Sequence, residues 1–351
     1  MKDFFEKVQA QFDQNLPFVI YSKPDSDRIE GFLQDNDSLF QTEAFTEKGF
    51  VMVSFNGNDK ILIPENQSEK ISVKKENPAL ANVAQTEPTF TIHAKTDFEK
   101  LVKKGIEAID DHDFSKVVLS RTEILEIPNF HPIVTFKKLV NNYPSAYCYC
   151  FFHPKTGLWL GATPEKLLQV KDGKFQTMAL AGTKQFIDND KVIWEDKERQ
   201  EQQFVTDFIL ENLEGVTSDI AISNPYTYRA GNLLHIKTDI EGSIDLDSTL
   251  KHLLDILHPT PAVCGLPKKA AREFILANEG YNRCFYSGFL GEINVDRKTD
   301  LFVNLRCMEV KDHRVHLYIG CGITKDSNPE KEFMETVNKS MTMKNILNET
   351  L

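Results

Sequence analysis

No stretch of this chain approaches the ~18 uninterrupted apolar residues that a membrane-spanning helix requires. The opening residues, Met1-Lys-Asp-Phe-Phe-Glu-Lys-Val, are charged and amphipathic with no apolar signal core, so export is not expected. Basic charge is scarce as well. A formal net charge of −11 removes the basic face that would displace counterions from nucleic-acid phosphate. Cysteine is sparse: of Cys148, Cys150, Cys264, Cys284, Cys307 and Cys321 only the first two are close. Their C-x-C spacing, inside the aromatic run Tyr147 to Phe152, fits neither a zinc pattern nor a disulfide framework. Also missing are internal repeats and the glycine-rich loops G-x-G-x-x-G and G-x-x-x-x-G-K-[ST]. These absences leave a soluble cytoplasmic chain that binds neither nucleic acid nor membrane. They also impose a requirement: an anionic ligand must be captured by local positive groups, because the whole-molecule field repels it.

What is present is core-forming material. Hydrophobic residues make up 41% of the 351-residue chain and 25 of its residues are Phe, enough for a sizeable interior. The length exceeds the ~100–200 residues of an ordinary domain, yet large single α+β domains reach it. Residues 1–90 read as a strand-rich first part and 91–351 as the region that carries the chemistry. The first part holds a short helix over about Asp3 to Gln14 and strands at Phe18 to Tyr21 and Phe50 to Ser54. Pro64 to Pro78, charged and poor in large apolar residues, is the best linker candidate. Beyond it, Thr96 is placed to cap a helix carrying Phe98, Leu101, Val102, Ile106 and Ile109 at helical spacing. Strands are predicted at Val117 to Leu119, Tyr147 to Phe152, Leu158 to Leu160, Leu233 to Ile240, Phe289 to Val295, Leu301 to Val310 and Val315 to Ile319. Helices are predicted over about Lys191 to Leu213 and Pro329 to Leu347. Strands and helices mix without the regular alternation of a doubly wound sheet, which favours an α+β fold.

Several short patterns could carry chemistry, each with a plain structural alternative. Glu198-Arg-Gln-Glu201 and Glu332-Phe-Met-Glu335 each place two carboxylates on one helical face. Facing each other, they would offer hard oxygen ligands suited to Mg²⁺; singly, each reads as a solvated helix face. Gly161-Ala-Thr-Pro-Glu165 reads as a helix start, with Thr163 as cap and Pro164 at the first position. For Glu165 to donate a proton there, burial or a neighbouring anion must overcome the helix N-terminus. Lys116, entering a buried strand, either snorkels at the edge or works as a base; its ordinary pKa of ~10.4 would have to fall through desolvation or a nearby cation such as Arg121. Gly320-Cys-Gly322 follows a strand and reads as a turn, able to form an anion-binding nest. Arg306, inside a strand signal, and Lys339, one turn after Glu335, could take carboxylates or serve as ordinary ion-pair partners.

Taken in order, these blocks resemble those of the chorismate-utilising enzymes: Lys116-Val-Val-Leu-Ser-Arg121, Gly161 to Glu165, Ala179-Leu-Ala-Gly-Thr183, Lys197 to Glu201, His258-Pro-Thr-Pro-Ala262 with Gly265-Leu-Pro267, Leu305-Arg-Cys307, Gly320 to Gly322 and Glu335-Thr-Val-Asn-Lys339. The resemblance covers about residues 95 to 347. It implies one large α+β domain, a β-sandwich core flanked by helices. It further implies Mg²⁺ on Glu201 and Glu335, with Glu198 and Glu332 in support through water. The ring carboxylate of chorismate would meet the metal, Gly182, Thr183 and Lys339; Arg306 and the backbone at Gly320 would take the enolpyruvyl carboxylate, and Ala262 would line the ring. Lys116 stands where ammonia-using branches typically carry Gln, and Ala181 stands where the aminodeoxychorismate branch carries a nucleophilic lysine. Pro261-Ala262 also lacks the Gly-Thr or Gly-Ser pair usual in both of those branches. The resemblance therefore implies the water-using branch, with Lys116 as base and Glu165 as acid in converting chorismate to isochorismate. A salicylate synthase, which would go on to eliminate pyruvate, stays open as the alternative, as do an ammonia-using component I and an inactive chorismate-binding protein. Menaquinone formation is the favoured pathway over siderophore formation, and a monomer without an obligatory protein partner is expected. Three positions depart from the pattern: Gln202 for the usual His, Glu198 for a frequent Asp, and Cys321 for the usual Ala.

Overall fold

Tyr147, Tyr149 and Phe151 alternate with Cys148 and Cys150 along the strand Tyr147–His153, and this period of two places each set on its own face of a sheet. The three aromatics join an interior that also holds Phe50, Leu290 and Phe302 from a second sheet. Across it the rings of Tyr147 and Phe302 stack with centroids 4.2 Å apart. The two cysteines point the other way, under helices Lys2–Asp13, Pro132–Asn142 and Pro329–Leu347. Burial pushes the Cys148 thiol up to about 12. All six cysteines are free, and the C-x-C pattern is strand alternation that turns Cys148 and Cys150 into the apolar core.

The computed structural model describes residues 1–76, 88–186, 192–230, 233–312 and 314–347. Among them, seven α-helices cover two large antiparallel sheets. The first runs in the order Gly265–Leu266, Lys116–Glu126, Arg314–Ile323, Cys307–Lys311, Gly157–Thr163, Tyr147–His153, Phe18–Ser22, Arg28–Gln34 and Ser68–Lys74. The second runs from Thr217–Ile222 through Leu233–Ile244, Lys174–Gln185, Lys166–Lys171, Lys298–Val303 and Phe289–Val295 to Gly49–Val53, Lys60–Pro64 and Phe40–Gln41. The expected sandwich is therefore present, and the first 76 residues supply strands to both of its sheets. Among the described residues no helix is long and apolar enough to cross a membrane.

Four sequence expectations are corrected. The linker proposed for Pro64 to Pro78 is in large part the edge strand Ser68–Lys74, paired with Arg28–Gln34; residues 77 and 78 lie outside the described residues. An edge strand needs few apolar residues, and charged side chains guard it against further pairing. The helix after it begins earlier, at Ile92, because Thr91 accepts from Ala94 N; Thr96 instead donates to Ile92 O within the helix. Residues 161–165 open no helix: one strand ends at Thr163 and the next begins at Lys166. The Leu301 to Val310 signal divides into strands ending at Val303 and starting at Cys307, and these belong to different sheets.

Two crossovers between the sheets follow from the last two corrections. Pro164 and Glu165 carry the chain from the first sheet to the second, and Asn304 to Arg306 carry it back. They run side by side, since Val303 N donates to Glu165 O at 2.9 Å and Ala162 N to Arg306 O at 3.1 Å. Arg306 has φ 47°, in the left-handed region, a cost of about 1–3 kcal/mol met by the surrounding packing. Glu165 and Arg306 thus sit together at a seam between the sheets.

Candidate active site

A cavity opens at this seam. Its walls include Glu165 and Arg306 from the crossovers, Gly182 and Thr183 from the second sheet, Gly320 to Gly322 from the first, and Ala262 from a turn. Glu201 from helix Asp196–Leu213 and Lys339 from helix Pro329–Leu347 complete it. Eight of the twelve residues singled out from the sequence therefore share one wall. Lys116 lies directly behind it, and Glu198, Glu332 and Glu335 lie on the two helices that carry Glu201 and Lys339.

The glycines clear the space. Residues 320–322 are not a turn, as the sequence suggested, but an internal part of strand Arg314–Ile323, in register with Val118 to Ser120. The nest reading fails because extended, paired backbone cannot turn successive N–H groups toward one anion. Gly322 is needed because a Cβ there would fall 2.4 Å from Glu201 Oε1 and 3.3 Å from Lys116 Cε. Gly182, at φ 72°, sits in a β-bulge between Ala181 and Lys184, where a Cβ would meet Glu198 at 3.0 Å. The bulge breaks the ladder locally and re-aims the Gly182 carbonyl.

Lys116 is fully buried, so it does not snorkel. Its Nζ lies 3.1 Å from Glu201 Oε1 and has no other polar partner among the described residues. Arg121, considered a neighbouring cation, is engaged elsewhere: it donates to Thr336 at 2.8 Å and pairs with Glu123 at 3.3 Å. Burial raises the Glu201 carboxyl, but Lys116, Lys339 and Lys197 outweigh it and hold the group below the usual carboxylate range. Glu165 behaves in the opposite way. Burial pushes its carboxyl up to about 7, against the pull of Lys116, Lys339 and Arg306. No helix N-terminus opposes the rise, because no helix starts there. One carboxylate of the cavity is therefore ionised and another holds its proton near neutrality, the separation that acid–base chemistry needs.

The carboxylates of the two helices are compensated one by one. Lys339 lies 2.8 Å from Glu335 and also donates to Gly320 O at 3.1 Å. Burial lowers its ammonium, but Glu335 and then Glu201 hold it above the usual lysine range. Lys197 bonds Glu332, and its charged form is favoured further by Glu335 and Glu201. Glu332 is buried, its pKa is raised by burial and by Glu335, and its Oε2 has no hydrogen-bond partner. Glu198 is spent differently: it accepts from Glu195 N at 3.0 Å in a capping box that starts its helix. Gln202, where a His is usual, donates to Thr206 at 2.9 Å and Thr238 at 2.8 Å and so ties the helix to the sheet.

A divalent cation fits this acidic edge. An orphaned, buried carboxylate oxygen on Glu332, together with Glu335 and Glu201, gives an all-oxygen donor set of the kind Mg²⁺ takes. Among the described residues no three His, Cys, Asp or Glu side chains converge as a metal-binding group, so these carboxylates are not gathered into a preformed cluster.

Two cavity-lining residues escaped the sequence reading. His235, on strand Leu233–Ile244, lines the cavity with Nε2 2.8 Å from Arg306 Nη2 and Nδ1 2.9 Å from Gly182 O. Tyr286 also lines it, its phenol kept neutral by burial, which pushes it up to about 12. Strand alternation hides the first and an aromatic-rich core hides the second; neither stands out by spacing.

Comparison with known proteins agrees with the geometry. The family model for chorismate binding enzymes matches residues 51–348. Isochorismate synthase EntC of Escherichia coli (strain K12) is 29% identical over 267 residues, 73% of this chain and 68% of that protein. Anthranilate synthase component 1 of Aquifex aeolicus is 29% identical over 290 residues, 77% of this chain but 58% of that protein. In fold, the crystal structure of a putative 2,3-dihydroxybenzoate-specific isochorismate synthase, DhbC from Bacillus anthracis, superposes with a TM-score of 0.81 at 22% identity, covering 97% of this chain and 99% of that one. By its sequence and by its two-sheet α+β architecture, this chain belongs to the chorismate-binding enzyme family.

Proposed function

We propose that the chain is a Mg²⁺-dependent isochorismate synthase, an isomerase that adds water at C2 of chorismate as the C4 hydroxyl departs. The observation that carries this reading is the pair formed by Lys116, a sealed amine beside the ionised Glu201, and Glu165, a carboxyl near pKa 7 on the cavity wall. An ammonia-using relative needs no base for its nucleophile, whereas water does.

In the proposed reaction Lys116 Nζ takes a proton from water as its oxygen bonds to C2. The ring double bonds shift, and the C4–O bond breaks as Glu165 delivers its proton to the leaving oxygen. One water adds, its hydroxyl to C2 and its proton to Lys116, and one water leaves, made of the C4 hydroxyl and the Glu165 proton, so the overall change is an isomerisation. Arg306 holds the enolpyruvyl carboxylate with its guanidinium fork, and Gly182, Thr183 and Lys339 orient the ring carboxylate. Ala262 packs beside the ring and the Gly320 backbone lies under the enolpyruvyl group. Glu201 and Glu335 would hold Mg²⁺, with Glu198 and Glu332 in support through water. The ion supplies charge neutralisation and orientation of the ring carboxylate.

Charge bookkeeping supports joint binding. The ammonium groups of Lys197 and Lys339 already pair with Glu332 and Glu335. Adding a divalent cation and a substrate dianion together keeps that balance, while either alone upsets it. The test is product identity with purified protein, chorismate and Mg²⁺: isochorismate supports the proposal, and dominant fluorescent salicylate rejects it in favour of a salicylate synthase. A cytoplasmic, monomeric enzyme that feeds menaquinone formation is the setting we propose; the same chemistry would serve a siderophore.

A further inference from the structure

His235 stands between two grips of opposite kind. On one side is Arg306, which makes no salt bridge among the described residues and, besides His235, donates to Ala230 O at 3.3 Å. On the other is the bulge at Gly182 and Thr183, whose carbonyl and hydroxyl lie 2.9 and 3.3 Å from His235 Nδ1. The imidazole is 7% exposed. A guanidinium can only donate and a carbonyl can only accept. Both bonds are therefore made at once by a single neutral tautomer, with the proton on Nδ1 for Gly182 O and the lone pair on Nε2 for Arg306. Burial, Arg306 and Lys339 push the ring down to about 3, so it does not charge under working conditions.

We propose that His235 is a positioning residue that couples the two carboxylate grips, fixing Arg306 and the Gly182 bulge at the separation a diacid requires. The inference rests on the chorismate reading and deepens it: the ring acts through Arg306 and Gly182, and its work is to make the cavity select dicarboxylates. A short bond from a buried guanidinium gives such a ring leverage, because a charged donor left without an acceptor costs more than a neutral one.

Two conservative variants separate the arms. An Asn amide overlays the Nδ1 position and keeps a donor for Gly182 O, but leaves Arg306 Nη2 unmet. A Gln amide reaches the Nε2 position and keeps an acceptor for Arg306, but loses Gly182. Steady-state kinetics with chorismate and Mg²⁺ would be measured for wild type, His235→Asn and His235→Gln. Inhibition by benzoate would be compared with that by an aromatic analogue carrying both carboxylates. We expect His235→Gln to raise KM a few-fold, and His235→Asn to raise it about 10–100-fold with a smaller change in kcat. The preference for the diacid over benzoate should fall at least tenfold in His235→Asn alone. Equal losses in both variants, or an unchanged diacid preference, overturn the coupling role. So does failure of His235→Gln to fold, since that side chain keeps the Arg306 contact. A wild-type protein that consumes no chorismate overturns the functional reading itself, whereas an active wild type whose variants do not split overturns only this inference.

Discussion

Lys116 Nζ and Glu201 Oε1 meet at 3.1 Å beneath Gly322, and a single added carbon on that glycine would press on both side chains. A residue from the second strand of one sheet and a residue from a distant helix are thereby brought into one ion pair, and the strand between them is bare where they touch. Gly322→Ala tests the arrangement. The Cβ would stand 2.4 Å from Glu201 Oε1, so the carboxylate must shift. We expect turnover to fall at least tenfold and Mg²⁺ affinity to weaken, with the far-UV circular dichroism unchanged, because the strand itself tolerates alanine.

The assigned roles of acid and base predict losses in kcat. Lys116→Ala and Glu165→Gln should each lower kcat by about 10²–10⁴-fold. Chorismate binding, followed by calorimetry, should persist in both. Near-normal rates in either variant would refute its role.

The raised pKa of Glu165 fixes the direction of the pH dependence. A general acid must be protonated, so activity should decline as pH rises through about 7. Stability follows the same group. Because its folded pKa lies above the unfolded value of 4.5, its contribution is fully present below 4.5 and is lost as pH rises through about 7. Glu165→Gln, which cannot ionise, should therefore raise Tm relative to wild type at pH 8 and not at pH 4. The upper bound is about 3 kcal/mol. An equal effect at both pH values would contradict the assignment.

Much of this was legible in the sequence, and the failures are instructive. The closing helix Pro329–Leu347 and the strand Phe289–Val295 match their predicted spans, since each combines a strong period with clear boundaries. The site residues were legible only through the family resemblance, because E-x-x-E, a strand-entering lysine and paired glycines are each common. Where local reading failed, tertiary context decided. Thr163-Pro-Glu165 carries a helix-start signal, but the chain there is committed to crossing between sheets, and Thr163 Oγ1 accepts from Glu165 N in a bare turn. Arg306 looked like a strand residue because apolar residues flank it on both sides, yet its positive φ marks the break. His235 was invisible for a simpler reason: its partner Arg306 is 71 positions away, and no local pattern reports such a pairing.

Metal dependence should be separable from folding. EDTA should abolish turnover and added Mg²⁺ should restore it. Glu201→Gln and Glu335→Gln should each weaken Mn²⁺ binding, read by electron paramagnetic resonance, by at least tenfold. Glu198→Ala should have the smaller effect on binding and the larger effect on helix stability, because the Glu198 carboxylate accepts from Glu195 N in the capping box. Tight Mn²⁺ binding in the Glu335 variant would move the site elsewhere.

The most direct measurement is to incubate the protein with chorismate and Mg²⁺ in ¹⁸O-labelled water and identify the product by mass spectrometry. The account predicts isochorismate carrying one heavy oxygen at C2. Unlabelled isochorismate, salicylate as the main product, or an aromatic amine formed only when ammonia is supplied would contradict it.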